Sequence, residues 1–263
     1  AKPCRGNSGK RLLRIPEKKS LWVNLGLNNN GANEISSRLK KSKFNIPVGI
    51  SIAKTNCKET TDTKIAIEDY VYSLEKFHKE NIGDYFTINI SCPNSYGGQP
   101  FSDPKLFEYL IKEIRKLKIS KPIFVKLSPD LEKSKLNKIL NISKVHKING
   151  FICSNLTKKN TGFSSGGLSG KEVADNSELL LANVYKKTRF WKNKPILIGV
   201  GGIFTAEDAY RKIKLGANLV QIITGMIYRG PSIVAEINFE LSKFLQIDGF
   251  SNISEAVGSG RKK

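Results

Sequence analysis

The chain has 263 residues, with 44 Lys plus Arg against 23 Asp plus Glu, a formal net charge of +21. Its hydrophobic fraction of 39% and aromatic fraction of 9% are spread along the chain, enough for a sizeable core and inconsistent with global disorder. No run approaches the roughly 18 consecutive apolar residues of a spanning helix, no signal peptide is read in the basic, Gly- and Pro-broken start, and four cysteines without a Cys-x-x-Cys pair fit a reducing compartment rather than a zinc site.

In chain order, a basic extension is followed by a predicted hairpin (residues 11–15 and 21–25) and a helix (32–41). Six apolar, β-rich runs follow at 48–53, 85–91, 122–128, 150–155, 195–201 and 219–224, bounded mostly by turn residues, and read as strands. Helical patterns separate them at 63–79, 103–118, 133–146, 176–190 and 205–215, with a last helix at 232–245. In the 103–118 segment Asp103 is placed to cap, Pro104 suits the first turn, and Leu106, Phe107, Leu110, Ile111, Ile114 and Leu117 form one apolar stripe. Strict strand–helix alternation with nearly continuous apolar strands predicts an α/β fold with a parallel sheet, doubly wound or closed as a (β/α)8 barrel. Polar, Gly-rich clusters after nearly every strand favour the barrel. Because only six units are visible and Met226 is the sole methionine, the expectation is one domain over residues 1–263 that lacks the first two barrel strands.

Lys greatly outnumbers Arg, and lysines cluster on polar helix faces at 112–121 and 186–194, so the charge reads as a solvated surface rather than a nucleic-acid groove. A basic polyanion-binding protein remains the rival from another function class. The densest polar cluster is Asn89-Ile90-Ser91-Cys92-Pro93-Asn94, at a strand end and running into Tyr96-Gly97-Gly98-Gln99. Alternation points Asn89 and Ser91 the same way; paired amides suit a planar polar ligand, and a neighbouring Cys is a candidate base or nucleophile. Lys126 sits near the end of the next strand, where burial without an anionic partner is costly, and Ser154-Asn155 ends another.

These segments, with Arg11-Leu12-Leu13-Arg14-Ile15-Pro16-Glu17, Gly26-Leu27-Asn28-Asn29-Asn30-Gly31, Val125-Lys126-Leu127-Ser128-Pro129-Asp130, Gly167-Leu168-Ser169-Gly170, Gly199-Val200-Gly201-Gly202 and Thr224-Gly225, occur in the order found in dihydroorotate dehydrogenases. Most resemble the membrane-associated, quinone-linked class (class 2). The resemblance implies an FMN-containing TIM barrel that oxidises dihydroorotate to orotate in pyrimidine (UMP) biosynthesis. It places Cys92 on the catalytic base and Asn24, Asn89, Asn94 and Asn155 on substrate contacts. It places Ser51, Asn89, Lys126, Ser154, Gly170, Gly201, Gly202, Thr224 and Gly225 on flavin contacts, with no metal.

A cysteine base resembles the soluble class, since the quinone-linked class has serine there. Val23 stands where that class often has a substrate-contacting Asn, Ser51 replaces an Asn, and Leu156 and Ile223 replace a Thr and a Tyr. An Ala-Gly-x-x-Lys-type loop that would bind flavin and orotate is not found, so the chain by itself is expected to be weakly active or inactive. The expected partners are dihydroorotate or orotate and a quinone acceptor, with no nucleic acid, and the expected location is cytoplasmic or peripheral on the cytoplasmic membrane. The alternatives are a soluble FMN barrel using fumarate or another acceptor, and the polyanion binder.

Overall fold

A computed structural model describes residues 1–260. The elements run β1 (Leu12–Ile15), β2 (Ser20–Val23), α1 (Gly31–Lys40), β3 (Gly49–Ile52), α2 (Thr63–Lys79), β4 (Tyr85–Asn89), α3 (Pro104–Lys116), β5 (Ile123–Leu127), α4 (Lys133–Val145), β6 (Gly150–Cys153), β7 (Gly167–Gly170), α5 (Ala174–Thr188), β8 (Ile196–Val200), α6 (Ala206–Lys214), β9 (Leu219–Gln221), α7 (Thr224–Arg229), α8 (Ile233–Asp248) and α9 (Ile253–Ala256). They fall into two compact units. The first holds residues 1–11, 24–126 and 131–149; the second holds 12–23, 127–130 and 150 onward.

In the first unit β3, β4 and β5 are parallel neighbours, with Ile52 opposite Ile88 and Asn89 opposite Lys126. Phe86, Thr87 and Ile88 are all buried, as a strand covered on both faces requires. Helix α3 begins where Asp103 Oδ1 accepts from Lys105 N (2.9 Å) and Leu106 N (3.2 Å), and Pro104 occupies its first position. Its Phe107, Leu110, Ile111 and Ile114 are buried as one stripe. Phe107 is 0% exposed, so Phe107→Ala is expected to destabilise the fold by about 3–5 kcal/mol in a denaturant titration, through lost burial and the cavity left behind.

An Asx residue just ahead of a strand sets the register in each case. Asp84 bonds Val48 reciprocally, with Val48 N to Asp84 Oδ2 at 2.6 Å and Asp84 N to Val48 O at 2.7 Å. Asn149 does the same with Ile123, and in the second unit Asn218 does so with Leu197. Side chain and backbone thus close the open start of each strand pair.

In the second unit β6, β8 and β9 are parallel neighbours, and β1, β2 and β7 form a separate antiparallel sheet. Ile203, Ala209, Tyr210, Ile213, Ile233 and Ile237 form a core under α6 and α8, with Tyr210 stacked on Phe244 at 5.4 Å.

The predicted strands and helices are present with ends shifted by a few residues. The last predicted strand is corrected: it stops at Gln221, and Thr224 opens α7 instead. Strand β7 was not predicted, because Gly-Leu-Ser-Gly reads as a turn. It forms only because β2 offers it a partner edge, with Trp22 opposite Leu168.

Candidate active site

In the first unit the predicted residues Asn89 and Lys126 lie at the C-terminal ends of β4 and β5, with Cys92 and Asn94 on the loop after β4. Asn89 Oδ1 accepts from Ser91 N (3.3 Å) and Ser91 Oγ (3.1 Å), so these residues do face one way, and buried Tyr70 donates its hydroxyl to Asn89 O at 2.8 Å. Burial drives the Tyr70 hydroxyl pKa up, which keeps it a neutral donor. Cys92 is half-buried and Asn94 buried on the loop that follows. Leu27, Lys54, Tyr70, Asn89, Cys92 and Phe101 line one small pocket.

Lys126 lies level with Asn89 across the parallel pair, so both side chains project from the same face. It forms no ion pair with a carboxylate among the described residues. Burial lowers its pKa below the ordinary lysine value, and the charge of Cys92 opposes that. Ser51, opposite Thr87 on β3, projects from that face and is exposed. Asn24 joins the loop indirectly: its Oδ1 accepts from Asn7 Nδ2 (2.8 Å), which also reaches Asn94 O (3.1 Å). A cavity of about 740 Å³ lined by Arg5, Arg11, Glu34 and Arg38 contains none of the predicted site residues; size does not mark the chemistry here.

The second unit gathers the remaining predicted residues. Ser154 N donates to Val200 O (3.2 Å), joining the ends of β6 and β8, and Asn155 Oδ1 accepts from Leu156 N at 2.9 Å. Ser169 Oγ and Thr224 Oγ1 are 2.8 Å apart, which sets Gly170 beside Thr224. The N–H groups of Gly201, Gly202 and Gly225 donate to no group among the described residues. Two of these glycines are sterically required: at Gly202 (φ +75°) a Cβ would lie 2.4 Å from Ala174 Cβ, and at Gly225 it would lie 2.2 Å from Ile203 O.

Several supporting residues carried little sequence signal. Asp130 accepts from Thr157 Oγ1 and Lys158 N, both at 2.7 Å, and so holds the loop after Asn155. Lys212 is fully buried, donates to Ser177 Oγ at 3.1 Å and lies 3.8 Å from Glu178; burial lowers its pKa to about 8. Ser177 in turn donates to Val200 O, just before the Gly201-Gly202 turn. Asn7, Lys54 and Asn56 brace the Cys92 loop. Asn7 lay in what read as a basic extension, and only a lysine two places after an apolar strand could have flagged Lys54.

A family model described as dihydroorotate dehydrogenase matches residues 1–245. The curated relatives include a dihydroorotate dehydrogenase (quinone) of Haloarcula marismortui, 37% identical over 98% of this chain and 73% of its own, and one of Trichodesmium erythraeum, 36% identical over 98% and 71%. Among solved structures, Eimeria tenella DHODH in complex with ferulenol superposes with TM-score 0.87 at 24% identity, over 100% of this chain and 77% of that one. Its ligand-free form gives 0.86 at 25% identity, over 100% and 80%. These likenesses bear out the α/β barrel fold read from the strand–helix alternation. The chain belongs to the dihydroorotate dehydrogenase family.

Proposed function

We propose that the protein is a quinone-linked dihydroorotate dehydrogenase, a single FMN-binding domain over residues 1–263, which oxidises dihydroorotate to orotate in pyrimidine biosynthesis. The observation that carries this reading is Asn89 opposite Lys126 at the ends of adjacent strands, with Cys92 on the loop that follows Asn89, in a chain of this family.

The residues present fit FMN. The undonated N–H groups of Gly201, Gly202 and Gly225, on backbone that excludes a Cβ at Gly202 and Gly225, suit a phosphate. Lys126, a partly buried cation with no carboxylate partner among the described residues, suits an electron-rich ring. Ser51, Asn89, Ser154, Gly170 and Thr224 complete the assigned flavin contacts. When bound, FMN supplies the two-electron acceptor for the hydrogen at C6 of dihydroorotate.

The rest is done by side chains of this chain. Cys92, as thiolate, takes the C5 proton and becomes a thiol, while the C5–H electron pair forms the C5=C6 double bond. A thiol, with an ordinary pKa near 8.5, ionises far more readily than the serine hydroxyl of the quinone-linked class, so the exchange of residues keeps the step feasible. Asn24, Asn89, Asn94 and Asn155 present amide donors and acceptors to the pyrimidine edge. The relatives' printed names support quinone as the final oxidant; Cys92 and the Tyr96-Gly97-Gly98-Gln99 segment favour a soluble acceptor such as fumarate as the second reading. No helix among the described residues is long and apolar enough to cross a membrane; we place the protein in the cytoplasm or peripherally on its membrane.

The test is anaerobic mixing of the FMN-loaded full-length protein with dihydroorotate. Bleaching of the flavin band, followed by reoxidation with a quinone and not with fumarate, is the expected result. Bound FMN that does not bleach overturns the activity, and reoxidation by fumarate alone overturns the acceptor.

A further inference from the structure

Lys54 is 4% exposed, yet it forms no ion pair among the described residues. The nearby carboxylate of Asp69 is already engaged by Thr55 N (2.8 Å) and Thr55 Oγ1 (2.6 Å). Lys54 Nζ instead donates to Thr60 Oγ1 at 3.4 Å and to the carbonyl of Tyr96 on the Cys92 loop. The N–H of the same Tyr96 donates to Asn56 Oδ1 at 2.7 Å, so both backbone polar groups of one loop residue are gripped by the segment after β3. Asn56 Nδ2 reaches Asn7 Oδ1 (2.9 Å), and Asn7 Nδ2 returns to Asn94 O (3.1 Å), closing a network around the loop. A buried ammonium is expensive to keep, and its only strong bond here is to the backbone that carries Cys92.

We propose that Lys54 is a positioning residue for the Cys92 loop: with Asn56 and Asn7 it clamps the backbone of Asn94 and Tyr96 and holds Cys92 near two ammonium groups, its own buried one and that of the partly buried Lys126. The inference rests on the reading of Cys92 as the base. The charged and titratable groups facing the site are Lys54, Cys57, Asp69, Tyr70 and Lys126. Burial lowers the Lys54 pKa, while Cys57, Cys92 and Asp69 pull it back up, so cation and thiol favour each other's charged forms.

The test is iodoacetamide labelling of the full-length, flavin-free protein across pH, with each cysteine quantified by peptide mass spectrometry, alongside amide hydrogen exchange of residues 92–98. For Lys54→Met the Cys92 labelling curve is expected to move to higher pH, slowing labelling at pH 7 about tenfold per unit moved, while Cys4 is unchanged. Exchange across 92–98 is expected to rise at least about tenfold as the clamp opens. Asn56→Ala, which keeps the charge, is expected to raise exchange and to move the Cys92 curve in the same direction but by less than Lys54→Met; Lys54→Gln substitutes if Lys54→Met does not fold. A Cys92 curve or a loop exchange rate in the lysine variant equal to the parent's overturns the proposal and leaves the base assignment untouched. Turnover retained by Cys92→Ala overturns the base assignment and leaves the clamp standing.

Discussion

Cys92→Ala is expected to lower the rate of dihydroorotate-dependent flavin bleaching by about 10²–10⁴-fold, the contribution of a positioned general base. FMN affinity is expected to stay within about threefold, because the residues assigned to the phosphate lie elsewhere in the chain, Gly201 and Gly202 just after β8 and Gly225 in the first turn of α7. Cys92→Ser separates chemistry from shape. The hydroxyl occupies nearly the same space, so bleaching persists, but its rate-versus-pH profile moves to higher pH because a hydroxyl is harder to ionise than a thiol. Stopped-flow absorbance at a series of pH values reads both effects. A Cys92→Ala protein as fast as the parent would assign proton removal to another group.

Lys126→Met is expected to act with opposite sign on stability and on cofactor binding. Burial holds the Lys126 pKa below 10.5, so between that lowered value and 10.5 the folded flavin-free protein binds fewer protons than the unfolded chain. Its stability therefore climbs as pH rises through that window, and the penalty is present in full only below the lowered value. Met has similar length and no charge to desolvate, so the flavin-free variant is expected to melt higher at pH 7 and to lose that part of the pH dependence. FMN affinity is expected to fall about 10–100-fold, the loss of a charged hydrogen bond worth roughly 1.5–3 kcal/mol. Thermal melts at pH 7 and near pH 9.5, with a fluorescence titration of FMN, measure the two effects. A variant that melts lower and binds FMN equally well would make Lys126 a structural residue.

Much of the fold was legible because each element announces itself locally. The stripe of Phe107, Leu110, Ile111 and Ile114 and the Asp103-Pro104 start define α3 without reference to anything distant. The apolar runs around Phe86–Ile88 and Val125 require cover on both faces, which points to a parallel sheet. The strand ends were less legible, since where Leu219–Gln221 stops depends on the helix that starts at Thr224. Strand β7 was not legible at all, since its four residues are a strand only against Trp22 and its neighbours.

The site divides in the same way. Asn89, Cys92 and Asn94 stand together in the sequence, and Lys126 is conspicuous as a charge within an apolar strand, so the candidate cluster was legible in residue types and order, while the role proposed for each residue came from the family resemblance. Three features needed the tertiary structure: that Lys126 meets no carboxylate among the described residues, that Asn7, Asn24, Asn56 and Asn94 join into one network, and that Lys54 bonds the carbonyl of Tyr96. The reason is physical. Helical stripes and strand runs are set by neighbours a few residues apart, whereas the partner of a buried charge is chosen by packing between distant segments, as with Lys54 and Tyr96, 42 residues apart, where each polar group must find whichever donor or acceptor the fold brings to it.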